Sequence, residues 1–436
     1  MRDWLNLLAD PGSTVPIPGT DESVAAARCR IDGRELVLVW CRFDVSAGTL
    51  SVAAGERFVA AVDHAVEARL PVLGIANSGG ARMQEGSRGF VQMIAATRAV
   101  RRLRDAGLPL VVYTANPTTG GVFASWASLG HLTFAEPGAT IGFTGPRVAQ
   151  ALGEPIVPAS SQTAEGVLAN GHVDAVVAPD DLRSTMAQVL ATLAPATPAT
   201  PATPAGPLSG PPSAAPAEAV EGPLGWAAVQ GSRGSTHRRV LDDLLARATS
   251  VIELVGDRAG SVGSQSTCVI ARIDGRPVVV VGHRPGARPT AADLRAARRA
   301  MTIAQELGLP VVTVIDTPGA EISGEQERQG LAGEIARSID TLSSLTVPSV
   351  AVIAGQGSGG AAMAWLAAAR VIAAADAWLA PIAPEAASLI VHRDTDHAAE
   401  LADAQQVGAV ELRDQGIVDA VFAPGDLIDA VVASLR

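Results

Sequence analysis

Four short glycine clusters are the residues of this chain whose type and spacing can do chemistry. Gly79-Gly80 and Gly120-Gly121 lie in the first half, Pro318-Gly319-Ala320 and Gly359-Gly360-Ala361 in the second. Each follows a short run rich in β-branched residues. The clusters at Gly120 and Gly359 also open the helix-like stretches VFASWASLG and AMAWLAAAR. A glycine pair at a helix start leaves N–H groups that point outward without an intrahelical partner. Two such donors make an oxyanion hole, able to hold a thioester enolate or a urea-like oxygen as it gains negative charge. Tight turns and close helix packing use the same residues, so the pairs define a device and leave the reaction open.

Nothing else in the chain supplies a nucleophile or a metal. There is no lysine, and all 33 basic residues are arginine, which closes every mechanism through a covalent amine: Schiff base, pyridoxal phosphate, or biotin joined as an amide. Ser78 precedes Gly79-Gly80 but is not in a GxSxG turn. The histidines show neither HxxxH nor HExxH spacing. The three cysteines, Cys29, Cys41 and Cys268, form no CxxC pair, which excludes a four-thiolate zinc site and a disulfide framework. The run from Gly355 to Gly360 looks like a dinucleotide loop but lacks the acidic residue in the context that such a loop needs. A net charge of −11 argues against nucleic acid and anionic membrane surfaces. No apolar run approaches the ~18 residues of a membrane span, and MRDWLNLLADPGS has no signal-peptide pattern. The expectation is a soluble cytoplasmic protein.

The elements that position the clusters occur twice. RIDGR at Arg30 returns at Arg272, and GHVDAVVAPDDL at Gly171 returns as GIVDAVFAPGDL at Gly416. Counted from the DG of each copy, the first glycine of the first cluster lies 46 and 44 residues on, the Gly-Gly pair begins at 87 and 84, and the closing motif at 138 and 141. A repeat of this length is a duplicated domain. Between the copies, the Pro- and Ala-rich stretch over 194–223 cannot bury a core and is expected to be a disordered interdomain linker. The expected domains are therefore 1–193 and 224–436. Within each copy, strands buried on both faces (ELVLVW, PVLGIA, PLVVYTA; PVVVVG, PVVTVI, PSVAVIA) alternate with helix-period stretches. One apolar stripe runs through Leu294, Ala297, Met301, Ala304 and Leu307, with Arg295, Arg298 and Arg299 outside it. Phe58, Val62 and Val66 form its counterpart. The pattern predicts an α/β fold of right-handed crossovers.

Longer motifs carry a resemblance. SGGARMQEG (Ser78 to Gly86) and PTTGGVFASWASLGHLTFAEPGATIGFTGPRV (Pro117 to Val148) resemble the β carboxyltransferase subunit of bacterial acetyl-CoA carboxylase. VIELVGDRAG, ARIDGRPVVVVGHRPG, VIDTPGA, GSGGA and PEAASLI, between Val251 and Ile390, resemble the α subunit. The resemblance covers about 350 residues in the order β then α. It implies two crotonase-like ββα spiral domains, an acyl-CoA side in 1–193 and a biotin side in 224–436. It also implies at least a homodimer, in which a β-type half of one protomer meets an α-type half of another.

The chemistry so implied is carboxyl transfer from carboxybiotin, presented by a separate biotinyl carrier protein that a biotin carboxylase charges, to the α-carbon of an acyl-CoA such as acetyl-CoA. Gly120 and Gly121 match the hole for the thioester oxygen, and Gly360 and Ala361 the hole for the biotin ureido oxygen. Gly79, Gly80, Gly319 and Ala320 would shape the ligand channels beside Gly359. Arg82, Arg147 and Arg328 would contact CoA phosphates or a carboxylate. Met363 sits where acyl-chain selectivity can be set and suits an uncharged tail. No zinc is expected, since the four-cysteine ribbon that usually opens the β subunit is missing. Two turns also depart from the family: VSAGTLSV (Val45 to Val52) stands for a GGSMG-like turn, and PGAEIS (Pro318 to Ser323) for a PGAYPG-like one. Val391-His392 replaces a Trp-Lys pair. Glu136 and Glu385 fall where hydratases of the same fold carry an acid/base glutamate, but the second glutamate that chemistry needs is missing from both helices. A malonyl-thioester decarboxylase and a non-catalytic assembly scaffold are the alternatives that the sequence leaves.

Overall fold

The computed structural model describes residues 2–19, 22–151, 153, 158–195, 222–234 and 239–435; the side chains of Arg147 and Val148, and most of the Pro- and Ala-rich stretch, lie outside the described residues. The chain forms two compact units. The first comprises Met1–Ala191 with Leu254–Val262 and Glu306–Gly308, and the second Thr192–Glu253, Gly263–Gln305 and Leu309–Arg436.

The first unit is built on an eight-stranded sheet: β1 (Val15–Pro16), β2 (Val24–Ile31), β3 (Arg34–Cys41), β4 (Val72–Ser78), β5 (Leu110–Thr119), β6 (Leu132–Ala135), β7 (Ile141–Gly142) and β8 (Ala175–Val176). Its order is β1-β2-β3-β4-β5-β6-β8, and β7 pairs with the end of β5. The second unit has β9 (Ala248–Glu253), β10 (Ser266–Ile273), β11 (Arg276–His283), β12 (Val311–Thr317), β13 (Ser349–Ser358), β14 (Arg370–Ala374), β15 (Trp378–Ala380) and β16 (Ala420–Phe422). Read from β9, the order is the same, with β15 on the end of β13. In each sheet an antiparallel hairpin leads into parallel strands, so the sequence repeat is a repeat of topology.

The repeated motifs have local causes. Asp32-Gly33 and Asp274-Gly275 take φ of 50° and 76°, and 46° and 78°. These left-handed pairs close the β2–β3 and β10–β11 hairpins, as two-residue turns of this kind do. In the closing motifs, Asp174 accepts the backbone N–H of Thr133 at 2.8 Å and Asp419 that of Val371 at 2.7 Å. Each carboxylate thereby satisfies a donor on or beside the penultimate strand of its sheet. The segment Leu254–Val262 belongs with the first unit because its backbone docks there. Asp174 also accepts the N–H of Val255 at 3.0 Å, and Gly256 packs so closely on Gly171 that a β-carbon would meet the Gly171 Cα at 2.2 Å.

Long crossover helices, Val52–Ala68 and Ala291–Leu307, join the hairpins to the parallel strands. Phe58, Val62 and Ala65 are buried on the first, and Phe58 stacks on Trp126 with ring centroids 4.8 Å apart. Leu294, Ala297, Met301 and Ala304 are buried on the second. Arg298, outside the apolar stripe, is half-buried, and its guanidinium pairs with buried Glu334 on the helix Leu331–Ser343.

Candidate active site

The glycine clusters stand where β4, β5, β12 and β13 end. The β4–β5 register shifts between Ala76 and Ser78, and the β12–β13 register between Ile315 and Thr317. Such an irregularity ends the ladder and re-aims the chain. The turn that follows is braced from within. Buried Ser78 accepts the N–H of Gly80 on its Oγ at 3.0 Å, and buried Thr317 accepts that of Gly319 on its Oγ1 at 3.2 Å. Ser78, which the sequence offers as a candidate nucleophile, serves here as a brace. The available signal was a Ser or Thr two residues before Gly80 and Gly319 alike.

Gly80 and Gly319 take φ of 111° and 122°, and Gly120 and Gly359 take 65° and 68°, all disfavoured for other residues. In the first unit the two clusters touch: a β-carbon on Gly80 would lie 3.1 Å from the Gly121 nitrogen and 3.1 Å from the Gly120 Cα. The short helices Gly120–Phe123 and Gly359–Met363 begin there, and neither has a side-chain cap. Their first-turn N–H groups have no intrahelical partner.

The candidate residues are not equivalent. The N–H of Gly120, expected with Gly121 to form a hole, donates to the Phe143 carbonyl at 2.8 Å. The positive φ of Gly120 shapes the turn, and Gly121 follows it as a buried residue in the first helical turn. Gly79 is exposed, gives its N–H to the Ala47 carbonyl at 2.9 Å, and has ordinary room for a β-carbon. Gly360 and Ala361 follow Gly359 in the first helical turn, and Ala320 is half-buried beside Gly319. Met363 ends its helix half exposed.

The arginines divide. Arg82 is 13% exposed and grips Glu22 through two bonds of 3.0 Å, together with the Ser23 hydroxyl and the Thr49 carbonyl. Its guanidinium, expected at a CoA phosphate or a carboxylate, is engaged here by partners inside the first unit. What it ties down is the departed turn, where Ser46, Ala47 and Gly48 all have positive φ and Gly48 passes close under the Asn77 carbonyl. Arg328 is exposed and pairs with Glu325 at 2.6 Å, an ordinary surface ion pair. The Arg147 side chain lies outside the described residues.

Among the described residues, no side chain beside the clusters is set up as acid, base or nucleophile. Glu136 is held by Arg2 at 2.6 Å and by the Asn116 N–H at 2.9 Å. Arg233 holds the Glu385 carboxyl below its usual range despite partial burial. Burial pushes the thiols of Cys29 and Cys41 up to about 11, and that of Cys268 up to about 12. His283 is buried against Trp365 with ring centroids 3.9 Å apart, and burial pulls it down to about 3, which keeps the ring neutral. What remains is backbone N–H groups at two equivalent strand ends, suited to stabilising charge on ligands that bring their own reactive atoms.

The family comparison agrees with that chemistry. A model of the carboxyl transferase domain matches residues 17–433. The probable biotin-dependent acyl-coenzyme A carboxylase beta3 subunit of Mycobacterium tuberculosis is 45% identical over 92% of this chain and 80% of its own length. The acetyl-coenzyme A carboxylase carboxyl transferase subunits beta/alpha of Salinispora arenicola are 36% identical over 92% of this chain and 73% of theirs. In fold, the chain superimposes over its whole length on 88% of transcarboxylase 12S, with a TM-score of 0.78 at 22% identity. The chain belongs to the carboxyl transferase family, that of the carboxyltransferase components of biotin-dependent acyl-CoA carboxylases. It is a transferase, and its two units have the crotonase-type fold expected from the sequence.

Proposed function

We propose that the chain transfers the carboxyl group of carboxybiotin, held on a separate biotinyl carrier, to an acyl-CoA with a short uncharged tail, acetyl-CoA above all, giving malonyl-CoA. The observation that supports this most is the repetition of one device: a braced positive-φ turn beside an uncapped helix start, at the same strand ends of both units. Two substrates that each present a carbonyl-type oxygen need two such devices. When bound, carboxybiotin brings the carboxyl group and, once that has left, the base for the α-proton.

On this reading the first unit is the acyl-CoA side. The N–H of Gly121 donates to the thioester oxygen as negative charge builds on it in the enolate, with Gly80 giving the oxygen close access. The second unit is the biotin side, where the N–H groups of Gly360 and Ala361 face the ureido oxygen. Exposed apolar Ile322, Leu389 and Ile390 suit a bicyclic ring with little charge. Met363 bounds the acyl tail. The functional assembly is a cytoplasmic homodimer or larger, working with a biotin carboxylase and a carrier, with no zinc. Among the described residues no helix is long and apolar enough to cross a membrane. The Pro- and Ala-rich stretch over 194–223 links the β-type and α-type domains.

The test is direct. The purified chain with carboxybiotinylated carrier and acetyl-CoA is expected to form malonyl-CoA, with none if either substrate is omitted. Faster conversion of malonyl-CoA to acetyl-CoA with the uncharged biotinyl carrier than the forward transfer would mark the malonyl-thioester decarboxylase. No reaction with acetyl-, propionyl- or butyryl-CoA would refute the proposal.

A further inference from the structure

Gly121 and Gly360 have ordinary backbone angles, unlike Gly120 and Gly359 before them. What distinguishes them is space: in each unit the room a β-carbon would need is taken by the end of one side chain from a neighbouring helix. A β-carbon on Gly121 would fall 2.2 Å from the Sδ of Met93, on the helix Gln92–Asp105. A β-carbon on Gly360 would fall 2.8 Å from the Cδ1 of Ile335, on the helix Leu331–Ser343. Ordinary contact begins at 3.4 Å. The same arrangement thus occurs in both copies, although the two helices share no sequence motif. Met93 also packs on the core of its unit, which couples that core to the helix start.

We propose that Met93 and Ile335 are positioning residues: each fills the room a β-carbon would need and thereby sets where the Gly121 or Gly360 N–H stands relative to the ligand oxygen. Neither touches a ligand on this account. The proposal rests on the functional reading above. It makes the strictness of the two glycines unequal, because the overlap at Gly121 is more than 1 Å and that at Gly360 about half as large. A misplacement of about 1 Å in a reacting constellation costs on the order of 10²-fold in rate.

The experiment is a size exchange in the full chain, read as kcat and KM for transfer from carboxybiotinylated carrier to acetyl-CoA, with melting temperature alongside. Gly121→Ala is expected to lower kcat about 10²-fold, and Gly360→Ala by about tenfold or less. Adding Met93→Ala to Gly121→Ala should restore at least about tenfold, while adding Ile335→Ala to Gly121→Ala should restore nothing. The reverse pairing should hold at Gly360. Met93→Leu, close in volume, should stay near wild type. Additive kcat effects in the matched pairs would overturn the inference. So would rescue of the melting temperature without rescue of kcat, which would make the contact merely structural. An inactive wild type would instead overturn the functional reading, so the two failures are told apart before any variant is compared.

Discussion

Replacing Arg82 with leucine separates an internal brace from a substrate ligand. The guanidinium is 13% exposed and its partner carboxyl, Glu22, 20%. Removing one member of a buried ion pair costs about 3–5 kcal/mol, since the other charge is left in place unpaired. Water still reaches a fifth of Glu22, so the lower figure, about 3 kcal/mol, applies. For a unit of this size each kcal/mol moves the midpoint by about 2–4 °C, which gives a drop of about 6–12 °C. Calorimetry should show the drop in the transition of the first unit and leave the second unmoved. The pH dependence has a definite sign. Burial raises the Glu22 carboxyl, but the Arg82 bond and the Ser23 N–H outweigh it and hold the carboxyl below its usual value. The pair therefore stabilises the fold above about pH 4.5 and ceases to do so as pH falls through the lowered value. The gap between wild type and Arg82→Leu should narrow below pH 4. The reasoning is refuted if Arg82→Leu melts like wild type yet binds acetyl-CoA at least tenfold more weakly at low salt, with the salt dependence gone. That pattern would make Arg82 the phosphate ligand the resemblance implied.

Three further outcomes are expected. Gly121→Val should abolish transfer to acetyl-CoA, by at least the ~10²–10³ that one oxyanion donor is worth, while decarboxylation of carboxybiotin without acyl-CoA survives. Gly360→Val should lose both reactions and keep acetyl-CoA binding by calorimetry; swapped phenotypes would put the ligands in the wrong units. His283, pulled down to about 3 by burial, stays neutral when folded, whereas the unfolded imidazole protonates near pH 6.5. Stability should therefore fall as pH drops from about 6.5 towards 3, with one proton's slope missing in His283→Phe; an unchanged slope would refute the burial argument. Streptavidin blotting of the purified chain should be blank, since a chain without lysine has no side-chain amine to carry biotin, and a positive band would sink the division of labour with a carrier.

Much of this protein was legible in the residues because its cues are local. Asp-Gly between alternating apolar runs specifies a hairpin, a Gly-Gly pair after a buried strand specifies a strand-to-helix turn, and their return at matched spacing specifies duplication. Amine chemistry is closed by composition alone. The long motifs around Ser78, Pro117 and Gly357 carried the family, because they keep residue types that single turns and helices do not require. What the tertiary structure alone decided depends on partners distant in sequence. That Gly120 has given its N–H to Phe143, and that Arg82 belongs to Glu22, follows from segments 23 and 60 residues apart meeting in space. That the room beside Gly121 and Gly360 is taken follows from Met93 and Ile335 on other helices. The docking of Leu254–Val262 onto the first unit is of the same kind. A sequence shows which groups can donate, accept or pair. Packing decides which have already done so, because each buried polar group takes the nearest partner that the fold provides and only the remainder is left to a ligand.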